Sequence, residues 1–191
     1  MKRYFKPMRL AAIVLLVVGV SVQVAAGAGP PFTDPVGDTS AADAEWVTVT
    51  DDAAGQLSFR VKFRNRLSLL PNDRIYLYLN TDRNRSTGRT SAGPSAKYGA
   101  DYLVFLTGKN RSCGVYRVLQ GGKDLKFMKT TTSSSRCCAS GQWKLSVNRR
   151  EIGNPRAFDF YVYTSHIDPA KRRFDYAPTE GVYTYQLTVG K

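Results

Sequence analysis

Asn80, Asp82 and Asn84 place side-chain oxygens at every second position of a short loop that runs on to Thr87-Gly88. Hard cations such as calcium take about six to eight oxygens, and alternate positions in a tight loop aim several of them at one point. Asp34, Asp38 and Asp43 form a second oxygen cluster earlier in the chain. Against calcium in the first loop stand Arg83 and Arg85 beside it and the lack of a bidentate Glu after it; a strand-ending turn, with Asn and Asp bonding their own backbone, is the competing and favoured reading. Two further sets could bind rather than react. Arg60, Lys62 and Arg64, continued by Arg66, alternate along one predicted strand and would line one face as a basic stripe suited to a polyanion. Tyr76, Tyr78, Tyr161 and Tyr163 offer flat apolar faces with polar edges, the surface on which sugar rings stack.

Catalysis finds less support. The chain has no G-x-S-x-G elbow, no H-E-x-x-H and no Gly-rich phosphate loop. One His and three Cys are too few for the usual zinc hydrolase site. Paired carboxylates acquire their spacing only in the fold, so Asp101, Asp159 and Asp175 are the ones to inspect for glycoside hydrolysis. The expectation is a non-enzyme, and with no nucleic-acid motif beside the basic stripe, no specific nucleic-acid partner.

The residues that must position these groups begin after a leader. Lys2, Arg3, Lys6 and Arg9 precede an uncharged apolar run from Leu10 to Val20, and small residues follow up to Ala28, the pattern of a secretory signal peptide over 1–28. Cleavage there leaves residues 29–191 as a single domain with its core over about 43–189. The leader holds four basic and no acidic residues, so 24 Lys and Arg then face 15 Asp and Glu, a net charge of about +9 for a chain whose full-length charge is +13. No later stretch is apolar for long enough to span a membrane. The expected product is secreted, basic and extracellular. In that compartment disulfides persist, and Cys113 is expected to pair with Cys137 or Cys138. Closing a loop of roughly 25 residues would contribute about 3 to 4 kcal/mol.

Period-two alternation dominates residues 29–191. Leu57, Phe59, Val61 and Phe63 alternate with polar residues, Ile75, Leu77 and Leu79 alternate with Tyr76 and Tyr78, and Tyr102 to Leu106 is nearly all apolar. Glu45 to Thr50, Gly114 to Leu119, Leu125 to Thr130, Gln142 to Val147, Ala157 to Thr164 and Val182 to Val189 bring the total to about nine strands. Short Gly-, Asn-, Asp- and Pro-rich turns separate them. The one helical turn is Asn148 to Gly153, with Asn148 as cap and Gly153 as stop. The predicted fold is all-β, an antiparallel β-sandwich.

Asp34-Pro35-Val36-Gly37-Asp38, Tyr76 to Gly88, Tyr98-Gly99-Ala100-Asp101-Tyr102, Phe158-Asp159-Phe160 and Asp175-Tyr176-Ala177-Pro178 follow in an order that resembles the secreted bacterial β-sandwich domains related to family 9 carbohydrate-binding modules and DOMON domains. The resemblance implies an exported, non-catalytic module that binds carbohydrate or a cell-envelope glycan, with any calcium structural. Its alternative is a structural or interaction protein of the cell envelope with no small ligand. Some DOMON relatives hold haem between a Met and a His, which here could only be Met128 and His166.

Overall fold

A computed structural model describes residues 29–90, 98–108, 113–119, 122–129, 134–138, 140–168 and 170–188, with only the backbone described for 134–138. The expected signal segment lies outside these residues. All nine predicted strands form: β2 (Ala44–Asp51), β3 (Gln56–Phe63), β4 (Asp73–Asn80), β5 (Tyr102–Thr107), β6 (Cys113–Val118), β7 (Leu125–Met128), β9 (Gln142–Asn148), β10 (Ala157–Ile167) and β12 (Tyr183–Gln186). Three more join them: β1 (Phe32–Thr33), β8 (Ser134–Cys138) and β11 (Arg172–Ala177). The first is two residues long, β8 is too polar to show an apolar period, and β11 carries its rings, Phe174 and Tyr176, on the face away from the core. The one helical turn among the described residues, Arg149–Ile152, is capped as predicted: Asn148 accepts from the Arg150 amide, and Gly153 closes it in the left-handed region at φ 85°.

The strands form two antiparallel sheets. One has the order β1-β2-β3-β9-β8; the other runs β11-β10-β4-β5-β6-β7, with β12 pairing β10 beyond the end of β11. Alternation assigns one face of each strand to the space between the sheets. Val47, Val49, Leu57, Phe59, Val61, Trp143, Leu145 and Val147 from the first sheet meet Ile75, Leu77, Leu79, Val104, Leu106, Val115, Phe158, Phe160 and Val162 from the second in one core. Burying each large side chain there stabilises by about 1.5 to 3 kcal/mol. The architecture is the predicted β-sandwich.

The expected disulfide is not present. Cys113 carries a free thiol on β6 of the larger sheet, packed against the core, whereas Cys137 and Cys138 lie on β8 at the edge of the other sheet. Cys113 is instead half-buried among apolar neighbours, where a free thiol packs as a small hydrophobic group. Burial pushes the Cys113 thiol up to about 11. The side chains of Cys137 and Cys138 are outside the described residues.

Candidate functional site

The outer face of the larger sheet is aromatic from edge to edge. Residues directly opposite each other in a ladder point to the same face, and the register sets Tyr176 against Tyr163, Tyr163 against Tyr76 and Tyr161 against Tyr78. It continues with Tyr76 against Phe105, Leu103 against Tyr116 and Tyr116 against Phe127. The six strands of this path span roughly 24 Å at the usual strand spacing. All four tyrosines singled out from the sequence are therefore brought together. Tyr78 and Tyr161 stack with centroids 4.7 Å apart and planes 8° from parallel. Tyr98 stands edge-on to Tyr161 at 4.6 Å, and Tyr76 lies 5.6 Å from Tyr163.

This face grades from a sealed centre to open ends. Tyr78, Tyr98 and Tyr161 are buried among Ala100 and Leu103, whereas Tyr76, Tyr163, Tyr176 and Tyr116 are half-buried around them. At opposite sheet edges Phe174 is 53% exposed and Phe127 57%. Gly114 makes one end possible: a Cβ there would come within 2.7 Å of Phe105 Cε1 and 2.9 Å of Phe127 Cε2, so only glycine lets those rings close over β6. Burial raises the phenols, Tyr78 to about 12, and they stay protonated donors at neutral pH. Arg89 lies close enough to Tyr78 and Tyr161 to oppose part of that rise. Sequence reasoning picked out the Tyr pairs but not Phe105, Tyr116, Phe127, Phe174 and Tyr176; alternation within β6 and β11 is the signal that points to Tyr116, Phe174 and Tyr176.

The basic stripe is elsewhere. Arg60 and Lys62 point outward from the other sheet, on the opposite side of the sandwich, with Arg60 paired to Lys144 and Lys62 beside Trp46. The stripe ends there because β3 stops at Phe63. Arg64 follows the strand as an exposed residue, and Arg66 turns inward to pair with the buried carboxylate of Asp73 at 3.3 Å.

The loop after β4 is saturated by its own donors. Asp82 Oδ1 accepts from the Asn84 amide at 2.8 Å and its Oδ2 from Thr87 Oγ1 at 2.9 Å, while Asn84 Oδ1 accepts from the Ser86 amide and hydroxyl. Asn80, still inside the strand, is fully buried and donates to the Tyr98 carbonyl, so it does not join Asp82 and Asn84. The arrangement is a self-bonded turn. It borders a cavity of about 610 Å³ lined also by Asp101, Tyr102 and Arg117. Asp101 holds that rim in place, one oxygen accepting from the Thr81 amide and hydroxyl and from the Asp82 amide. Asp159 is likewise engaged, by Thr184 Oγ1 at 2.8 Å and Arg83 at 3.4 Å. Asp38, in contrast, gathers with Asp43 and with Asp175 from β11, and Asp34 stands near enough to act on the charge of Asp175.

Met128 and His166 are separated. His166, on β10, bonds Asp73 through Nδ1 at 2.7 Å, and Met128, on β7, packs against the inter-sheet core. Four strand steps, roughly 19 Å, lie between their strands, which rules out shared axial ligation of one haem iron. No protein-family model, curated protein or solved structure matches the chain.

Proposed function

We propose that the protein is an exported, non-catalytic glycan-binding module whose binding surface is the aromatic outer face of the larger sheet. The observation that carries this reading is the continuous row of rings from Phe174 to Phe127, exposed at both ends on a rigid antiparallel sheet. Contiguous apolar surface of this kind is unusual on a protein without a partner for it. Pyranose rings present an apolar C–H face that stacks on such rings, while their hydroxyls need polar groups at the edges. Arg74, in register with Ser165 and Thr107 on the same face, and Arg172 at the β11 edge supply those groups and favour acidic sugars. The resemblance to family 9 carbohydrate-binding modules points the same way. A second reading, a cell-envelope interaction protein that docks on a polyanion, draws on the opposite face, where Arg60, Lys62 and Lys144 cluster.

Retention on insoluble and acidic polysaccharides tests the two together. Phe174→Ala and Tyr163→Ala should each weaken binding by roughly 2- to 13-fold, the equivalent of about 0.5 to 1.5 kcal/mol per ring contact. Arg60→Glu should leave it unchanged. Loss in Arg60→Glu with full binding in the ring variants would transfer the function to the basic face, and retention no greater than that of an inert protein of equal charge would end the glycan reading.

A further inference from the structure

Where the amino-terminal segment crosses β11 at one end of the sandwich, carboxylates converge from three parts of the chain. Oxygens of Asp38, Asp43 and Asp175 lie within 4.8 Å of one another. Asp34 is close enough to Asp175 to raise its proton affinity. Some of these oxygens are fixed: Asp43 Oδ2 accepts from the Gly37 amide at 2.8 Å, Asp175 Oδ2 from the Ala44 amide at 2.9 Å, and Asp34 Oδ1 from the Thr179 amide at 2.7 Å and its hydroxyl at 3.2 Å.

The other oxygens of two of these residues are the telling ones. Asp43 is 1% exposed and Asp34 7%, yet Asp43 Oδ1 and Asp34 Oδ2 have no hydrogen-bond partner. No ion pair reaches any of the four carboxylates among the described residues; Arg64 acts on Asp43 only from a distance. A buried carboxylate oxygen without a donor is costly, and two within a group of like charges more so, unless a cation completes the group.

We propose that Asp34, Asp38, Asp43 and Asp175 form a calcium site. The donors are all oxygen, with no His or Cys, which selects a hard cation over zinc or copper. The oxygens of Asp38, Asp43 and Asp175 are close enough together to be drawn onto one hard cation, and calcium, with its flexible geometry and oxygen ligands at about 2.3 to 2.6 Å, tolerates such an irregular set best. Backbone amides orient three of the four carboxylates, so the site is largely built without the ion. Raised proton affinity in Asp34, Asp43 and Asp175, each chiefly from burial and then from neighbouring carboxylates, is consistent with that crowding. Calcium here ties the amino-terminal segment and the start of β2 to β11. Alternation gives this a consequence for the aromatic face: Asp175 points to the ion while Phe174 and Tyr176, on either side of it, point outward. The site stands on its own geometry and does not depend on glycan binding.

Calcium titration into EDTA-stripped, dialysed protein, followed by calorimetry, thermal shift and tyrosine-sensitised terbium luminescence, tests it directly. Tyr183 sits beside Asp34 and Asp175 and is the sensitiser. One calcium per chain and a melting temperature that climbs with calcium concentration are expected. Asp38→Asn, at an exposed turn position, should weaken the affinity roughly tenfold or more, Asp43→Asn should do the same, and Asp82→Asn should change nothing. If Asp43→Asn does not fold, Asp38→Asn carries the comparison. The proposal is overturned by no response at about 10 mM calcium, beyond the weakest range of extracellular calcium modules, by an equal shift from NaCl at matched ionic strength, or by native affinity in Asp38→Asn.

Discussion

Replacing Tyr161 by Phe removes one atom from the centre of the aromatic face, and its outcome separates the ring from its hydroxyl. Tyr161 is 1% exposed, sandwiched between the stacked ring of Tyr78 and the edge of Tyr98, and its hydroxyl oxygen has no hydrogen-bond partner. A hydroxyl left unpaired in an apolar site costs about 1 to 3 kcal/mol. Deleting it leaves every ring contact intact and opens a void too small to matter beside that cost. Tyr161→Phe should therefore stabilise by about 1 to 2 kcal/mol, which for a chain of this size raises the melting temperature by about 2 to 8 °C. The neighbouring swap has the opposite sign: the Tyr98 hydroxyl donates to the Tyr78 carbonyl at 3.3 Å, so Tyr98→Phe should cost about 0.5 to 1.5 kcal/mol. Tyr161→Ala, which removes the ring itself, should cost about 3 to 5 kcal/mol. pH offers a second readout. Burial holds the Tyr161 phenol far above its ordinary 10.0, so it stays protonated when folded but ionises when unfolded. Its contribution to stability is thus present below pH 10 and lost as pH rises beyond it, and Tyr161→Phe should shift the alkaline unfolding midpoint upward. Circular dichroism melts of the three variants, and their alkaline titrations, decide the matter. A Tyr161→Phe melt at or below that of the native protein would mean that the hydroxyl is satisfied and that the packing described for this face is wrong.

Two smaller tests address other parts of the molecule. Gly114→Ala forces Phe105 and Phe127 off β6, so urea denaturation should show a loss of about 1 to 3 kcal/mol together with reduced glycan retention; native retention would show that these two rings are not used. In a background with Cys137 and Cys138 changed to Ser, alkylation of Cys113 at pH 8 should be about 100-fold slower in the folded than in the unfolded protein, since its thiol sits at about 11 against an ordinary 9.0. The rate should rise about tenfold per pH unit up to pH 10. The stability tied to this thiol is present below pH 9 and lost as pH climbs toward 11, and equal folded and unfolded rates would contradict its burial.

Much of the fold could be read along the chain because strand formation here is local. In β3, β4 and β9 apolar residues alternate with polar or aromatic ones, so one face of each strand is marked without knowledge of its neighbours. The turn from Asn148 to Gly153 was legible for the same reason, since cap and stop lie within six residues. β11 escaped notice because its inward residues include Asp175 and its outward ones Phe174 and Tyr176, the reverse of the usual polarity. In the loop after β4 the favoured reading, a strand-ending turn bonded to itself, was legible from Asp82 and Asn84, but the shared spacing did not show that the strand still runs through Asn80 and buries it.

The sequence by itself determined which residues face together within a strand: Tyr76 with Tyr78, Tyr161 with Tyr163, Arg60 with Lys62. Only the tertiary structure decided which of these pairs share a surface. Antiparallel register set Tyr78 on Tyr161 across 83 positions of chain and sent Arg60 and Lys62 to the other side of the molecule. It also carried Asp175 to Asp34, Asp38 and Asp43, more than 130 positions away, completing a cluster of which the chain order displayed only three members. The physical reason is that alternation is a property of one backbone, whereas register and sheet order are settled by how two apolar faces, formed from distant segments, close on a common core.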